Sequence, residues 1–182
     1  MEKSIVLIDA ENVLRGWRDH CAAKGSDAKI DYSKLVAALS TGTNLLRAYF
    51  YDGVSSVVPG KKKAFLDAIQ SQGIQLRTKV LKQRDFCCEH CAKQNSRMVQ
   101  KGVDVSLATD ILRHAWQQTC EICIVVSGDE DYKDAIDVAK DKGVRIWIAS
   151  FKFALSAELR RSADKVIYIE DLFDKIQRQE TP

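Results

Sequence analysis

The chain predicts an α/β fold, a mainly parallel sheet with helices on both faces. Three observations carry that expectation. Short apolar runs alternate with stretches of helical spacing along the 182 residues, which is the order of βαβ units. The runs SIVLI (4–8) and ICIVV (122–126) are apolar almost throughout, as strands covered on both faces are. Acids follow both runs at once, Asp9 and Glu11 after the first, Asp129, Glu130 and Asp131 after the second. In open parallel sheets, ligands bind beyond the carboxyl ends of the strands.

Residues 4–8 are too few and too apolar for a surface helix and read as a buried strand. Residues 32–39 have helical spacing through Leu35, Val36 and Leu39, and 45–51 (LLRAYFY) read as the second strand. Residues 62–72 form an amphipathic helix with Phe65, Leu66 and Ile69 inward, stopped at Gly73. Residues 74–81 alternate as a strand through Ile74, Leu76 and Val80. Residues 84–101 are polar, rich in cysteine and without periodicity, and read as a loop or insertion. A strong helix follows over 104–118, with Val105, Leu107, Ala108, Ile111, Leu112 and Ala115 in register. Strands are predicted at 122–126, 144–149 and 166–169, and helices at 131–142 (ending at Gly143), 155–161 and 172–178.

A chain of this length buries roughly 70% of its unfolded surface and suits one domain, 1–178, with the Cys-rich insertion at about 84–101 and a flexible tail over 179–182. No run approaches the ~20 apolar residues that span a bilayer, and the reading is a cytoplasmic protein without a membrane partner. The net charge of +3 permits nucleic-acid binding without arguing for it. Its distribution is uneven: Lys61 to Lys63 form one cluster, Lys79, Lys82 and Arg84 another, with Arg97 and Lys101 beyond, and Lys152, Arg160 and Arg161 a third. Each alone is first a solvated face.

Taken singly, each acid has an ordinary explanation. Asp9 starts a helix, Asp129 sits in a turn, Asp131 is a first-turn acid, and Asp104 at a helix N-terminus gains ~0.3–1 kcal/mol. Their fall on one predicted edge has none. Carboxylates gathered there repel one another unless a cation neutralises them. Oxygen ligands completed by water suit Mg²⁺ or Mn²⁺. Such a centre activates water and stabilises charge on phosphoryl oxygens. Gly128 lets backbone approach closely, and Ser127 and Asn12 can hydrogen-bond a carboxylate, a bound water or a phosphate.

IVLIDAEN (5–12), KGVDVSLATDIL (101–112) and VVSGDEDY (125–132) resemble, in order and spacing, the three motifs of NYN domains, with the bacterial LabA-like branch most similar. NYN domains belong to the PIN-like nuclease superfamily. The resemblance implies a three-layer α/β/α PIN-like fold and metal-dependent RNA cleavage. By position it implies that Asp9, Asp104 and Asp129 bind the metal and are catalytic together with Asp131, and that Asn12 is the polar partner of the first motif. Asp131 and Asp110 are the outer acids. Asp110, six residues after Asp104, lies about 120° round the helix and either supports the site from behind or is solvated. A homodimer enters only through this resemblance.

The segment Cys87-Cys88-Glu89-His90-Cys91 contains C-x-x-C beside a histidine. Cys88, His90 and Cys91 could hold Zn²⁺, though a structural site needs four ligands and this set is incomplete locally. The alternative is a cluster of exposed thiols. His114 reads as a packed or surface histidine. Trp17, Trp116 and Trp147 read as core or partly buried, Trp17 being the one placed to contact nucleic acid. Two functions stay open: a Mg²⁺- or Mn²⁺-dependent ribonuclease, an endonuclease on single-stranded RNA with Lys82, Arg84, Lys101, Asn12 and Ser127 toward substrate, and a non-catalytic RNA- or protein-binding module with a structural cation. A receiver-like phospho-acceptor domain needs an acceptor Asp after a middle strand, and Val80-Leu81-Lys82 supplies none.

Overall fold

Strand β1 (Lys3–Asp9) lies at the centre of a six-stranded sheet, between β2 (Asn44–Val54) and β6 (Ile122–Val126). Outside β2 lies β3 (Ile74–Val80). Outside β6 lie β7 (Arg145–Ser150) and β8 (Lys165–Tyr168). Every pairing in this sheet is parallel. The computed structural model describes residues 1–87, 94–99 and 102–178, with 82–87 and 94–99 as backbone. The tail 179–182 lies outside the described residues.

The chain winds outward from β1 in one direction through β2 and β3, then returns beside β1 at β6 and winds outward the other way. The crevice between the ends of β1 and β6 is therefore the topological switch point, where a parallel sheet opens a ligand site.

Strand period sorts the two faces. Val6 and Ile8 of β1, with Ile124 and Val126 of β6, pack against α1 (Ala10–Lys24), α2 (Tyr32–Leu39), α3 (Gly60–Ser71) and α7 (Phe173–Ile176) through Val13, Trp17, Leu35, Leu66, Ile69 and Phe173. Ile5 and Leu7, with Cys123 and Val125, pack against α4 (Val103–Trp116), α5 (Lys133–Asp141) and α6 (Ala157–Ser162) through Leu107, Ile111, Ile136, Ala139 and Leu159. This is a three-layer α/β/α arrangement. Among the described residues, no helix is long and apolar enough to cross a membrane.

Three places differ from the sequence reading. Helix α1 is legible in the sequence only as a start at Asp9, because its buried stripe includes the polar Asn12 and the small Gly16, so its apolar spacing is interrupted. The stretch 84–101 is in part a hairpin rather than a loop: β4 (Lys82–Cys87) pairs antiparallel with β5 (Gln94–Val99). A ribbon paired through its backbone needs no apolar alternation to hold register. Val105 and Leu112, read as in register with the core, are exposed, as is Trp116 at 74%. They share the outer face of α4, with Leu107 and Ile111 on the inner one. Trp17 is 4% exposed, donates from its indole N–H to the Ala28 carbonyl at 2.7 Å and stacks on Phe173, so it contacts core and not substrate.

Helix α1 meets the sheet edge at Gly16. A Cβ built there would stand 2.3 Å from the ring of buried Phe151. Gly16→Ala gains about 1 kcal/mol of helix propensity, and overpacking of this kind costs typically 1–3 kcal/mol or more. The overlap with a fixed aromatic ring favours the upper part of that range. Urea unfolding should therefore show a lower midpoint for Gly16→Ala at an unchanged m value.

Candidate metal centre

The period that sorts the core also aims the acids. Asp9 continues the Ile5, Leu7 row of β1 and so turns toward the α4 face. Ile8 pairs with Val126, which brings Ser127 level with Asp9, also in the row that faces α4. Asp104 stands in the first turn of α4, on that same face. Three separate elements therefore deliver carboxylates to one opening.

Asp9, Asn12, Asp104 and Asp129 line a single polar cleft of about 300 Å³, with Glu11 and Arg15 at its edge. Asp9 is 5% exposed. It is also the N-cap of α1, its Oδ1 accepting from the Asn12 N–H at 3.1 Å. Its Oδ2 accepts from the Ser127 hydroxyl at 3.1 Å and the Tyr132 hydroxyl at 3.2 Å. The Tyr132 hydroxyl also lies 3.3 Å from Asp104 Oδ1. Tyr132 ends a single 3₁₀ turn over Glu130–Tyr132 that Asp129 caps, so the third motif places this phenol between the other two motifs.

One hydroxyl carries one proton and serves one carboxylate at a time. Asp9 and Asp104 thus face each other with less than one hydrogen bond each from Tyr132. Burial pushes the Asp9 carboxyl above its ordinary range. The Asn12 N–H, Ser127 and Tyr132 oppose that shift, and the charge of Asp104 adds to it. Asp104 is raised as well, by desolvation first, with Asp129 and Asp131 repelling its charge and Tyr132 opposing. Burial, with Asp9 and Asp104 beside it, raises Tyr132 too, which keeps it a donor.

The loop after β6 is built by close approach. A Cβ at Gly128 would lie 2.1 Å from the Ala154 carbonyl oxygen. Its N–H donates to Asn12 Oδ1 at 3.2 Å, which ties the first motif to the third. The Asp129 N–H donates to Ser127 Oγ at 3.3 Å, and the Asp131 N–H to Asp129 Oδ1 at 3.2 Å. Asp131 and Glu130 are exposed, and Asp131 acts on Asp104 through charge.

Asp110 stands apart from this cleft. It is 6% exposed and neither solvated nor turned to the other acids. Tyr51 donates to it at 2.6 Å, Arg77 at 3.3 Å, and Arg113 pairs with it at 3.1 Å. It braces β2, β3 and α4 behind the site. His114 is buried, with Nδ1 2.7 Å from the Thr119 hydroxyl and its ring against Tyr49. Cys88, His90, Cys91 and Lys101 lie outside the described residues, as do the side chains of Lys82 and Arg84 on β4.

The donors suit a hard cation. All are oxygens, and two of the acids are held where their own ionisation is disfavoured. Among the described residues, no three His, Cys, Asp or Glu side chains stand close enough together to form a ready-made metal site. An open polar cleft fits Mg²⁺, which keeps several waters and binds through one or two carboxylates. Sequence reading passed over Tyr132 and Arg15. Tyr132 stood inside the third motif, and Arg15 three residues beyond Asn12 on the helix Asp9 caps, which was the available signal.

A profile of the NYN domain matches residues 3–170. The low amplitude and bright protein LabA of Synechococcus elongatus is 31% identical over 139 residues, 76% of this chain and 70% of that protein. An uncharacterized protein, y4oD, of Sinorhizobium fredii is 33% identical over 73 residues, 38% of this chain and 34% of that protein. The crystal structure of a protein of unknown function from Vibrio parahaemolyticus aligns with a TM-score of 0.70 at 19% identity, covering 97% of this chain and 96% of that one. That last likeness concerns the fold.

Removing the shared hydroxyl should expose the repulsion it moderates. Tyr132→Phe is expected to lower stability by about 1–2 kcal/mol, more at pH 7 than at pH 4, because the lost bond favours the ionised acids. Chemical denaturation at the two pH values reads this. Asp104 has a folded pKa above its unfolded one, so the stability it contributes is complete below the unfolded value and is lost as pH rises through the folded value. In chelator, the stability difference between wild type and Asp104→Asn should accordingly move in the variant's favour as pH rises from about 4 toward 7.

Proposed function

Since this chain belongs to the NYN domain family, nuclease-type domains of the PIN-like class, we propose that it is a Mg²⁺- or Mn²⁺-dependent ribonuclease, an endonuclease acting on single-stranded RNA. The observation that carries the reading is the arrival of Asp9, Asp104 and Asp129 from three elements in one polar cleft. These residues would hold the cation, with Asp131 adding negative charge from the adjacent turn. A cation bound there supplies an activated water and stabilises charge on the phosphoryl oxygens.

The chain's own groups prepare the site. Ser127 and the Asn12 N–H fix the orientation of Asp9. Asn12 accepts the Gly128 N–H at its Oδ1 and keeps its amide hydrogens for the cleft, where a phosphate oxygen or a bound water can accept them. Tyr132 stands between Asp9 and Asp104 and holds their spacing. Lys82, Arg84 and Lys101, which precede α4 in the chain, are assigned to the RNA backbone by sequence position. The second reading is a non-catalytic RNA- or protein-binding module with a structural cation; it is favoured by the acids standing too far apart, among the described residues, to form a ready-made three-ligand metal site.

Labelled single-stranded RNA incubated with purified protein and Mg²⁺ or Mn²⁺ should be cut internally. Asp129→Asn should cut at least about 100-fold more slowly, the scale on which loss of a supporting metal-site group acts. The same cation should raise the thermal midpoint of wild type through mass action and leave that of Asp129→Asn nearly unmoved. Cleavage undiminished in the variant would defeat the assignment. Binding without cleavage by either protein would favour the module.

A further inference from the structure

We propose that Arg15 and Arg18 form a track for the phosphates of the RNA strand, leading from the acidic cleft along the outer face of α1. This rests on the ribonuclease reading and names where its substrate lies.

The helix begins at the site, because Asp9 caps it. At about 100° per residue, Glu11, Arg15 and Arg18 fall within an arc of about 60°, and Arg18 stands about 4.5 Å further along the axis than Arg15. Arg15 lines the cleft that holds Asp9, Asn12, Asp104 and Asp129. Arg18 lines the adjoining hollow, also about 300 Å³, with Leu14 and Asp52. Glu11 borders both, so the two openings adjoin along one helix face. The carboxylate of Asp52 in the second hollow is paired with Lys62.

Both arginines are exposed. Among the described residues neither has a carboxylate partner at ion-pair distance. For Arg15 this is informative. Glu11 sits four residues before it, the favourable order for a helix-face ion pair, and the pair is not made. Arg18 turns its Nε to the Leu14 carbonyl at 3.3 Å, leaving its terminal nitrogens for another partner. A solvated face would account for two arginines, but not for one of them lining the acid cleft itself.

The electrostatics require such a group. The acids repel an approaching phosphodiester, and a divalent ion offsets only part of three or four carboxylates. A guanidinium at the edge of the cleft supplies fixed positive charge where the strand enters or leaves, and its planar fork matches phosphate oxygens. Against the two guanidiniums stands one unpaired carboxylate, Glu11, so the strip remains net positive.

The test uses full-length protein carrying Asp129→Asn, which allows binding without turnover, and a labelled single-stranded RNA twelve nucleotides long. Arg15→Gln/Arg18→Gln should weaken binding about tenfold at low salt and reduce the slope of log K against log salt by about 1.4, the value for two lost phosphate contacts. Lys142→Gln/Arg145→Gln removes the same charge at the opposite edge of the sheet and should change affinity less than about twofold. In the active enzyme the arginine pair should raise KM far more than it lowers kcat, and Arg15→Lys/Arg18→Lys should recover part of the affinity. Equal salt slopes for the Asp129→Asn parent and its arginine variant, with RNA bound and cleaved normally by wild type, would overturn the track and leave the ribonuclease standing. Failure of wild type to bind or cut the RNA at all would overturn both.

Discussion

Asp9 holds a carboxylate in a nearly dry place and shares a single tyrosine hydroxyl with a second carboxylate, Asp104. The rest of the rim follows from that pairing. Asp9 must cap α1 to satisfy one oxygen, so the helix starts at the site. It must take Ser127 and Tyr132 on the other, so the loop after β6 has to fold back over the end of β1. That fold brings Gly128 against the Ala154 backbone, where no side chain fits. The rim is thus assembled against its own repulsion, as functional sites commonly are.

The support is local on one side and remote on the other. Near the cleft, hydrogen bonds among Asn12, Ser127, Gly128 and Asp129 lock the first and third motifs together. Behind it, Asp110 gathers Tyr51, Arg77 and Arg113 and fixes α4 against β2 and β3. The angle of α4, and with it the position of Asp104, depends on that buried cluster. The two acids on α4 consequently do different work, one facing the cleft and the other holding the helix that carries it.

Most of the sheet was legible because its strands are apolar on both faces and read the same way in either direction of the pattern. Asp9, Asp104 and Asp129 were legible for a related reason: acids directly after such strands, or at the start of the helix that covers them, can only reach one rim. Helix α1 was not, beyond its start, since its inward face spends Asn12 on the loop after β6 and Gly16 on Phe151. The hairpin of β4 and β5 was hidden because its pairing is made by backbone. Tyr132 was missed because an aromatic after an acidic turn ordinarily signals core. It is indeed buried, and only the place of its hydroxyl between two carboxylates gives it a further role. Trp116 failed in the opposite sense, being an aromatic at core spacing that ends outside.

In the proposed function, Asp9, Asp104 and Asp129 hold one cation between three elements. Substoichiometric Mn²⁺ added to isotopically labelled protein tests it directly, since amide signals broaden with proximity to the bound ion. The amides of Asp9 to Asn12, Asp104 and Ser127 to Asp129 should broaden together and first, and excess Mg²⁺ should restore them. Broadening confined to solvated acids such as Asp171 and Asp174, or reaching one of the three segments without the others, would contradict it.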